Sequence, residues 1–457
     1  MIDRKLIKKY NKTGPRYTSY PPATFFHEQF TERQYLELLK TSNEWLPKNI
    51  SIYIHIPFCP QICHYCGCNN SLFKSDKEVE RYINALLSEI KIVADKIDKE
   101  RVVTQIHWGG GTPNSISFKW INAVMSYFHK HFKIDPKAEI AMECNPAYME
   151  LTDLIELSKM GFNRLSLGIQ DFDNELLKKI NRLPSRYPVK DLFRIARKSG
   201  IESMNLDLMY GLPDQTKEQH LQSVQKAIDL NADRIITFSY AHVPWFKPNQ
   251  KNLEIYNLPD AEEKLTMLES SYNLLIDYGY IPIGMDHYVK PNEELHSALK
   301  NNELHRNFQG YASRKQTGQV YAFGTTAISQ LQKAYSQNVR SIKEYIKVLD
   351  DYHLPVFRGY ELNNNEVIIR KVINEIMCNH YINWKQISDE LNFTPQKIKE
   401  VVNYDQGKLK TFIDDEMLSL DENQIKVSPK GFFLIRNIAM AFDPNLNKKN
   451  NKYSQTI

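Results

Sequence analysis

The chain has 457 residues, 42% of them hydrophobic, and its 59 Lys and Arg against 54 Asp and Glu leave a formal charge of +5. That length buries a full core and exceeds one typical domain, so two domains are expected; the charge is too mild to mark a nucleic-acid binder, while it permits an anionic substrate. Six cysteines, four of them between positions 59 and 68, do not resemble a disulfide framework, and a reducing compartment keeps such thiols available as ligands.

The start, MIDRKLIKKYNK, lacks the apolar core of a signal peptide, and no later run approaches the roughly 18 apolar residues of a membrane span, so a soluble cytoplasmic protein is expected. Residues 1–48 read as an N-terminal arm with helices. From 49 onward, short β-rich runs alternate with helical patterns: SIYIHIP (51–57), QIHWGG (105–110), EIAMEC (139–144), RLSLGIQ (164–170), SMNLDLMYG (203–211) and RIITFSYAHVP (234–244). Between them, VERYINALLSEIKIVADKI (79–97) and LTDLIELSKMGF (151–162) repeat apolar residues every three or four positions, with Gly161 as a helix stop. Strand and helix in alternation predict a parallel sheet. His55, Gly109 to Gly111, Glu143, Gln170, Asp207 and His242 fall at or near strand C-terminal ends, which favours a barrel with one shared mouth over a doubly wound sheet. The expected fold is therefore α/β, an incomplete (β/α)6 TIM-like barrel with its extension over 49–330, then a connecting segment at 331–360. Over 361–457 the pattern turns helical: VIIRKVINEIMC (367–378), WKQISDEL (384–391) and TPQKIKEVV (394–402), with Thr394 and Pro395 starting a helix, then IKVSPKGFFLIRNIAMAF (425–442). Helix, turn, helix and following strands predict a C-terminal mostly helical, winged-helix-like domain, whose acidic residues match its basic ones and argue for packing or a lid rather than DNA reading. The tail NLNKKNNK (445–452) is polar and weakly specified.

Cys59, Cys63 and Cys66 are spaced Cys-x-x-x-Cys-x-x-Cys on a loop after the first strand, and Cys68 follows by two. A structural zinc site splits its ligands into two separated pairs, and the chain has no second pair. A thioredoxin-like reading would use Cys63 and Cys66 while ignoring Cys59 and Cys68. An electron-transfer [4Fe-4S] site takes four cysteines, usually with a distant one before proline, and neither Cys144 nor Cys378 fits. Three ligands would leave one iron open to a substrate, as cluster-driven cleavage of S-adenosylmethionine requires; Cys68 leaves the count ambiguous. In Gly109-Gly110-Gly111-Thr112-Pro113 the backbone of Gly110 and Gly111 can approach a ligand closely, and no Gly-Lys-Ser/Thr follows to make a phosphate loop. Glu143, Asp207 and Gln170 offer acceptors to an ammonium or to ribose hydroxyls, and Arg182 can pair with a carboxylate. Each alone reads as a surface or cap residue; the shared strand-end placement sets the group apart.

The cysteine spacing, with Tyr65 before the third cysteine, resembles the radical S-adenosylmethionine superfamily, and GGGTP resembles its motif for the methionine amino group. A finer resemblance, to the oxygen-independent coproporphyrinogen III oxidases (dehydrogenases) of heme biosynthesis, runs over essentially the whole chain. It is carried by GPRYTSYP (14–21), YIHIPFC (53–59), CGCN (66–69), HWGGGTP (107–113), FNRLSLGIQDF (162–172), NLDLMYGLP (205–213), YAHVP (240–244), GMDHY (284–288), LHRNFQGY (304–311), TTAIS (325–329) and RNIAMAFD (436–443). GPRYTSYP, CGCN and HRNFQGY are the specific part.

The resemblance implies that Cys59, Cys63 and Cys66 ligate a [4Fe-4S] cluster, with Cys68 nearby and not a ligand. It implies that Tyr53, Gly110, Glu143 and Ile328 hold S-adenosylmethionine on the open iron. Tyr65, Gly111, Thr112, Gln170, Arg182, Asp207 and Ala241 fall at the family's positions for a second such molecule. The chain departs from the family at Tyr65, where Phe is common, and at Cys144-Asn145-Pro146, where Asp often precedes the proline. The implied reaction decarboxylates two propionates of coproporphyrinogen III oxidatively to vinyls, giving protoporphyrinogen IX, through a 5'-deoxyadenosyl radical from reductive cleavage of S-adenosylmethionine. An external electron donor and acceptor, a monomer, and neither nucleic acid nor membrane as partner are expected. Glu143, Arg16, Arg306 and Gln309 are the candidate catalytic residues. Arg16, Tyr17 and Tyr20 in GPRYTSYP, with Arg306 and Gln309 in HRNFQGY, are candidate substrate contacts, being cations and aromatics suited to a tetrapyrrole with four propionates; the competing reading is a structural arm. The rival functions are a heme-binding chaperone on the same barrel, a radical methyltransferase acting on a tetrapyrrole, and a DNA-binding regulator.

Overall fold

The computed structural model describes residues 4–313, 318–446 and 453–456, so the polar tail at 445–452 lies outside the described residues from 447 on. The chain divides into two compact units: Met1–Phe25, Pro259–Arg314 and Leu362–Ile457 form one, and Phe26–Leu258 with Lys315–Glu361 form the other.

The second unit holds the barrel. Strands β1 (Asn49–Ile56), β2 (Val102–Gly110), β3 (Lys133–Cys144), β4 (Arg164–Gln170), β5 (Ser203–Tyr210) and β6 (Arg234–Ser239) run parallel, each paired with the next. All six expected strands form in the expected order. The other edge of β1 pairs in parallel with β7 (Gln319–Phe323), from which β8 (Ile328–Gln330), β9 (Ala334–Asn338) and β10 (Val356–Glu361) continue antiparallel. The barrel is incomplete because the sheet runs on past β1 instead of closing onto β6. β4 is buried in all but its last residue, as befits a parallel strand covered on both faces. Its Arg164 is satisfied by side chains of neighbouring strands: Nε donates to Glu139 Oε2 at 2.6 Å, and Nη1 to Ser203 Oγ at 2.6 Å.

The helical period at 79–97 becomes the helix Asp76–Ala94, which starts at the N-cap Ser75, whose side chain accepts from Glu78 N, and buries Val79, Tyr82, Ile83, Leu86, Ile90 and Val93. The helix Leu151–Lys159 stops before Gly161, which adopts φ 92°. The stretch at 331–360 is structured rather than a connector: β9, the helix Ile342–Asp350 and β10 extend the sheet edge. Residues 26–48 also group with the barrel unit, where Phe26 stacks on Tyr335 with ring centroids 5.3 Å apart and His27 bridges to Gly359.

In the first unit, Leu265, Ile283, Val289, Leu295, Leu304 and Tyr311 share one apolar core with Ile368, Val372, Trp384 and Ile398. This shared burial is why 259–313 groups with the C-terminal residues. There the helices Asn364–Asn374, Trp384–Leu391 and Pro395–Val401 accompany a three-stranded antiparallel sheet of Tyr381–Asn383, Gln424–Val427 and Leu418–Leu420. The helices and wing-like sheet follow the expected pattern, with Thr394 capping Pro395–Val401 by accepting from Lys397 N. No helix among the described residues is long and apolar enough to cross a membrane.

Candidate active site

β1 hands the chain directly to the cysteine loop. Phe58–Cys59 pairs in parallel with Ser71–Leu72, so the loop leaves and returns on neighbouring tracks. Cys59 and Cys63 are buried, Cys66 is half-buried and Cys68 is exposed, all as free thiols. Three side chains aim a donor at three sulfurs: Thr112 Oγ1 at Cys59 (3.3 Å), Arg182 Nη1 at Cys63 (3.5 Å) and Asn70 Nδ2 at Cys66 (3.2 Å). The hydrogen bond from Cys68 pushes the Cys66 thiol down to about 6 against burial, whereas burial pushes Cys59 up to about 11. Among the described residues no three such donors converge on one point as a single metal ion needs. A cubane makes no such demand, since each thiolate meets a separate iron.

The loop is pinned by the 180–182 segment. His64 N donates to Ile180 O (3.0 Å), Asn181 Nδ2 to Ile62 O (2.9 Å) and Gln61 Nε2 to Asn181 Oδ1 (2.6 Å).

GGGTP follows at the end of β2. Gly110 sits at φ 112°, and a Cβ there would meet the His55 ring at 2.7 Å; on Gly111 it would meet the backbone of Pro57 and Phe58 at 2.8 Å. The glycines therefore let the β2 turn press against the start of the cysteine loop, with Gly111 N donating to Ile56 O (2.7 Å) and Thr112 N to Phe58 O (2.9 Å). Glu143, near the end of β3, grips the same turn: Gly110 N donates to its Oε2 (3.3 Å) and His107 Nε2 to its Oε1 (2.9 Å). Tyr53 stacks on His107, ring centroids 6.0 Å apart. Its hydroxyl donates to His55 Nδ1 (3.1 Å), because His55 Nε2 must carry the proton it gives to Asn69 O (2.9 Å) and burial lowers the pKa of His55, keeping it neutral.

On β5, Asp207 lies opposite Gly168 of β4 and accepts from Ser166 Oγ at 2.8 Å; burial pushes its carboxyl up to about 7, against that hydrogen bond and with the Glu143 charge adding to the rise. Gln170 closes β4 in the left-handed region, at φ 68°. Arg182 donates to Gly168 O and, at 3.3 Å, to Tyr65 OH, so Tyr65, Arg182 and Cys63 form one contact group. Ala241 is tied in by Gln250, whose Nε2 donates to Ala241 O (3.2 Å) and Tyr65 O (2.9 Å). Ile328 opens β8 just after the turn at 324–327. Apart from Ile328, the expected cluster and cofactor residues thus lie in the C-terminal halves of β1–β6 or in the loops beyond them, around one mouth.

Two anchors of this mouth escaped the sequence reading, Gln250 and Glu89. Glu89 is a buried acid on the apolar stripe of Asp76–Ala94, and that misfit within the stripe is the signal that could have exposed it. It accepts from Gly324 N (2.9 Å), Asn338 Nδ2 (2.6 Å) and Tyr345 OH. Tyr82, on the same helix, donates to His55 O (2.7 Å) and accepts from Thr325 N (3.0 Å), so the pair joins the end of β1 to the TTAIS turn. Burial pushes the Glu89 carboxyl up to about 7 despite its three hydrogen bonds. A carboxyl raised in the folded state adds stability below its unfolded pKa and loses it as pH rises through the folded value. Melting temperatures of the parent and Glu89→Gln between about pH 5 and about pH 8 should therefore shift in the variant's favour as pH rises, by on the order of 2–3 kcal/mol in stability. A pH-independent difference would count against a raised Glu89.

The candidate substrate contacts lie in the first unit. Tyr17 and Tyr20 are buried, and their hydroxyls donate to Asp443 Oδ2 (3.0 Å) and Oδ1 (2.9 Å), which anchors the arm within this unit. Arg306 stands over the Tyr311 ring at 5.2 Å and donates from Nη1 to Arg16 O (3.1 Å). Gln309 turns the hairpin between Leu304–Asn307 and Gly310–Ser313, its N donating to Asn307 Oδ1 (2.9 Å). Asp286, from GMDHY, joins the two arginines. Burial opposes its charge, yet the hydrogen bond from His287 (2.7 Å) and the charges of His287, Arg306 and Arg16 hold its carboxyl below the usual carboxylate range. Three stretches remote in sequence thus meet in one charged cluster, and Asp286 is the member that residue-type reasoning did not single out.

The sequence profile of the radical SAM superfamily matches residues 53–227. Over nearly its whole length the chain is 36% identical to the oxygen-independent coproporphyrinogen III oxidase of Synechocystis sp., covering 97% of this chain and 95% of that protein. It is also 36% identical to the Escherichia coli enzyme of that name, over 98% and 96%. The solved coproporphyrinogen III oxidase HemN from Escherichia coli, a radical SAM enzyme, superposes with a TM-score of 0.90 at 35% identity, covering 98% of this chain and 99% of that one. The chain belongs to the oxygen-independent coproporphyrinogen III oxidases. Radical SAM enzymes of this kind use a [4Fe-4S] cluster and S-adenosylmethionine. The cysteine loop fits the cluster on its own chemistry, with three thiols in reach of three separate hydrogen-bond donors, the environment that tunes such clusters. Membership in the oxygen-independent coproporphyrinogen III oxidases also bears out the incomplete barrel with its helical C-terminal domain.

Proposed function

We propose that this enzyme converts coproporphyrinogen III to protoporphyrinogen IX without oxygen, by oxidative decarboxylation of two propionates, and that Cys59, Cys63 and Cys66 hold its cluster. The observation that carries the reading is the three-sulfur loop beside Glu143 and GGGTP at one barrel mouth, in a chain that matches coproporphyrinogen III oxidases from end to end. When bound, the cluster and S-adenosylmethionine supply the 5'-deoxyadenosyl radical that removes a propionate hydrogen. The chain's residues position and shield. Glu143 offers a carboxylate to the methionine ammonium beside Gly110 and Tyr53, and Ile328 on β8 is a further contact for the same molecule. Asp207, Gln170 and Arg182, with Tyr65, Gly111, Thr112 and Ala241, suit a second molecule's hydroxyls and carboxylate. In the first unit, Arg16 and Arg306 suit propionates, Gln309 can hydrogen-bond them, and Asp286 suits pyrrole N–H groups. An external electron donor and acceptor and a cytoplasmic monomer complete the reading.

The test is anaerobic reconstitution with iron and sulfide, then assay with coproporphyrinogen III, S-adenosylmethionine, a reductant and an electron acceptor. Protoporphyrinogen IX should form together with methionine and 5'-deoxyadenosine. Cleavage of S-adenosylmethionine without porphyrinogen product would refute the substrate assignment.

A further inference from the structure

The loop after β6 carries side chains that the site above does not use. Trp245 and Phe246, neighbours in PWFKP, are 62% and 63% exposed. Rings of this size on a folded surface are ordinarily covered on at least one face, so an exposed adjacent pair marks a contact surface. The loop that presents them is firmly held. Gln250, itself 2% exposed, accepts from Val243 N (2.6 Å) and donates to Tyr65 O, while Leu253 is fully buried. Lys247 donates from Nζ to Cys68 O at 2.7 Å. The two rings are therefore fixed on a loop bound to the cysteine loop.

The charges beside them narrow the occupant. Lys247 and Arg340 reach consecutive residues of the cysteine loop, Cys68 and Asn69, which places two cations side by side; burial and the Arg340 guanidinium accordingly hold Lys247 below the ordinary ammonium range. Both hydrogen-bond neutral oxygens, Lys247 that of Cys68 and Arg340 the Oδ1 of Asn69 (3.1 Å), and among the described residues neither makes an ion pair. Lys247 Nζ also lies 5.4 Å from the Phe246 ring centroid. Adjacent cations that are paired to no carboxylate, beside two open rings, suit a flat apolar body that carries carboxylates.

We propose that Trp245, Phe246, Lys247 and Arg340 form a subsite for the substrate macrocycle, the rings against its apolar face and the cations on one of its propionates. This rests on the coproporphyrinogen reading above.

The test titrates the reconstituted enzyme with coproporphyrin III, the oxidised stable form of the macrocycle, by fluorescence, with cluster absorbance as the control for folding. The double variant Trp245→Ala/Phe246→Ala should bind it about tenfold or more weakly, the loss expected when ring burial is removed. Arg340→Gln should weaken coproporphyrin III by about tenfold and leave binding of its tetramethyl ester unchanged, because the ester presents no carboxylate. Unchanged affinity for coproporphyrin III in both variants, with clusters intact, would overturn the subsite. So would equal loss of acid and ester in Arg340→Gln. Failure of the parent enzyme to turn over coproporphyrinogen III would instead fall on the functional reading, and the binding titration would still decide the subsite.

Discussion

Alanine at Cys59, Cys63 or Cys66 is expected to abolish the cluster and lower turnover by at least about 10⁴-fold, whereas Cys68→Ala keeps both. The distinction follows from what each sulfur touches. Thr112, Arg182 and Asn70 direct donors at Cys59, Cys63 and Cys66, and those three thiols lie within a loop clamped by Ile180, Asn181 and Gln250. Cys68 stands exposed beyond them and acts on Cys66, whose thiol it holds down at about 6 by donating a hydrogen bond. Removing Cys68 takes that donor away, so the Cys66 pKa rises toward the ordinary thiol value and less thiolate is present at a given pH. Cluster assembly in Cys68→Ala should accordingly need a higher pH than in the parent, and reach the same iron and sulfide content once there. Iron, sulfide and absorbance measured on the four variants across pH check this. A Cys68→Ala protein that never assembles its cluster would show that the three-to-one division of the cysteines is wrong.

The six barrel strands were readable because each is a short β-rich run closed by a polar or glycine position, and because helical periods separate one run from the next. The cysteine loop was readable for a different reason, since ligand spacing is local. What stayed hidden is non-local. Nothing near Glu89 in the chain announces that Gly324, Asn338 and Tyr345 will converge on it, and Gln250 is one polar residue among many until Tyr65 and Ala241 are brought to it. The stretch at 331–360 read as a connector because AYSQN and VFRGYE are modest strands that form only as partners at a sheet edge. Tyr17 and Tyr20 show the converse. Their residue type suited a tetrapyrrole, yet both hydroxyls meet Asp443, 423 or more positions away.

The second large effect is expected at Glu143. Its side chain is 42% exposed, so its carboxylate faces the mouth while bonding Gly110 N and His107. Glu143→Gln removes the charge and sets an amide NH₂ group against one of two N–H donors, unless His107 changes tautomer and accepts instead. S-adenosylmethionine affinity of the reconstituted enzyme should fall by about 10²- to 10³-fold, the loss when one partner of a charge pair is truncated. Stability should change by no more than about 1 kcal/mol, because a half-exposed carboxylate keeps much of its solvation. Calorimetric binding and a thermal melt separate the two. Gly109→Ala supplies an independent route to the same group: a Cβ there would sit 2.7 Å from Glu143 Oε1 and must displace the carboxylate without neutralising it. If position matters as well as charge, both variants lose affinity, and only Glu143→Gln loses the ammonium's counter-charge. Glu143→Gln binding S-adenosylmethionine as tightly as the parent would remove Glu143 from the cofactor site altogether.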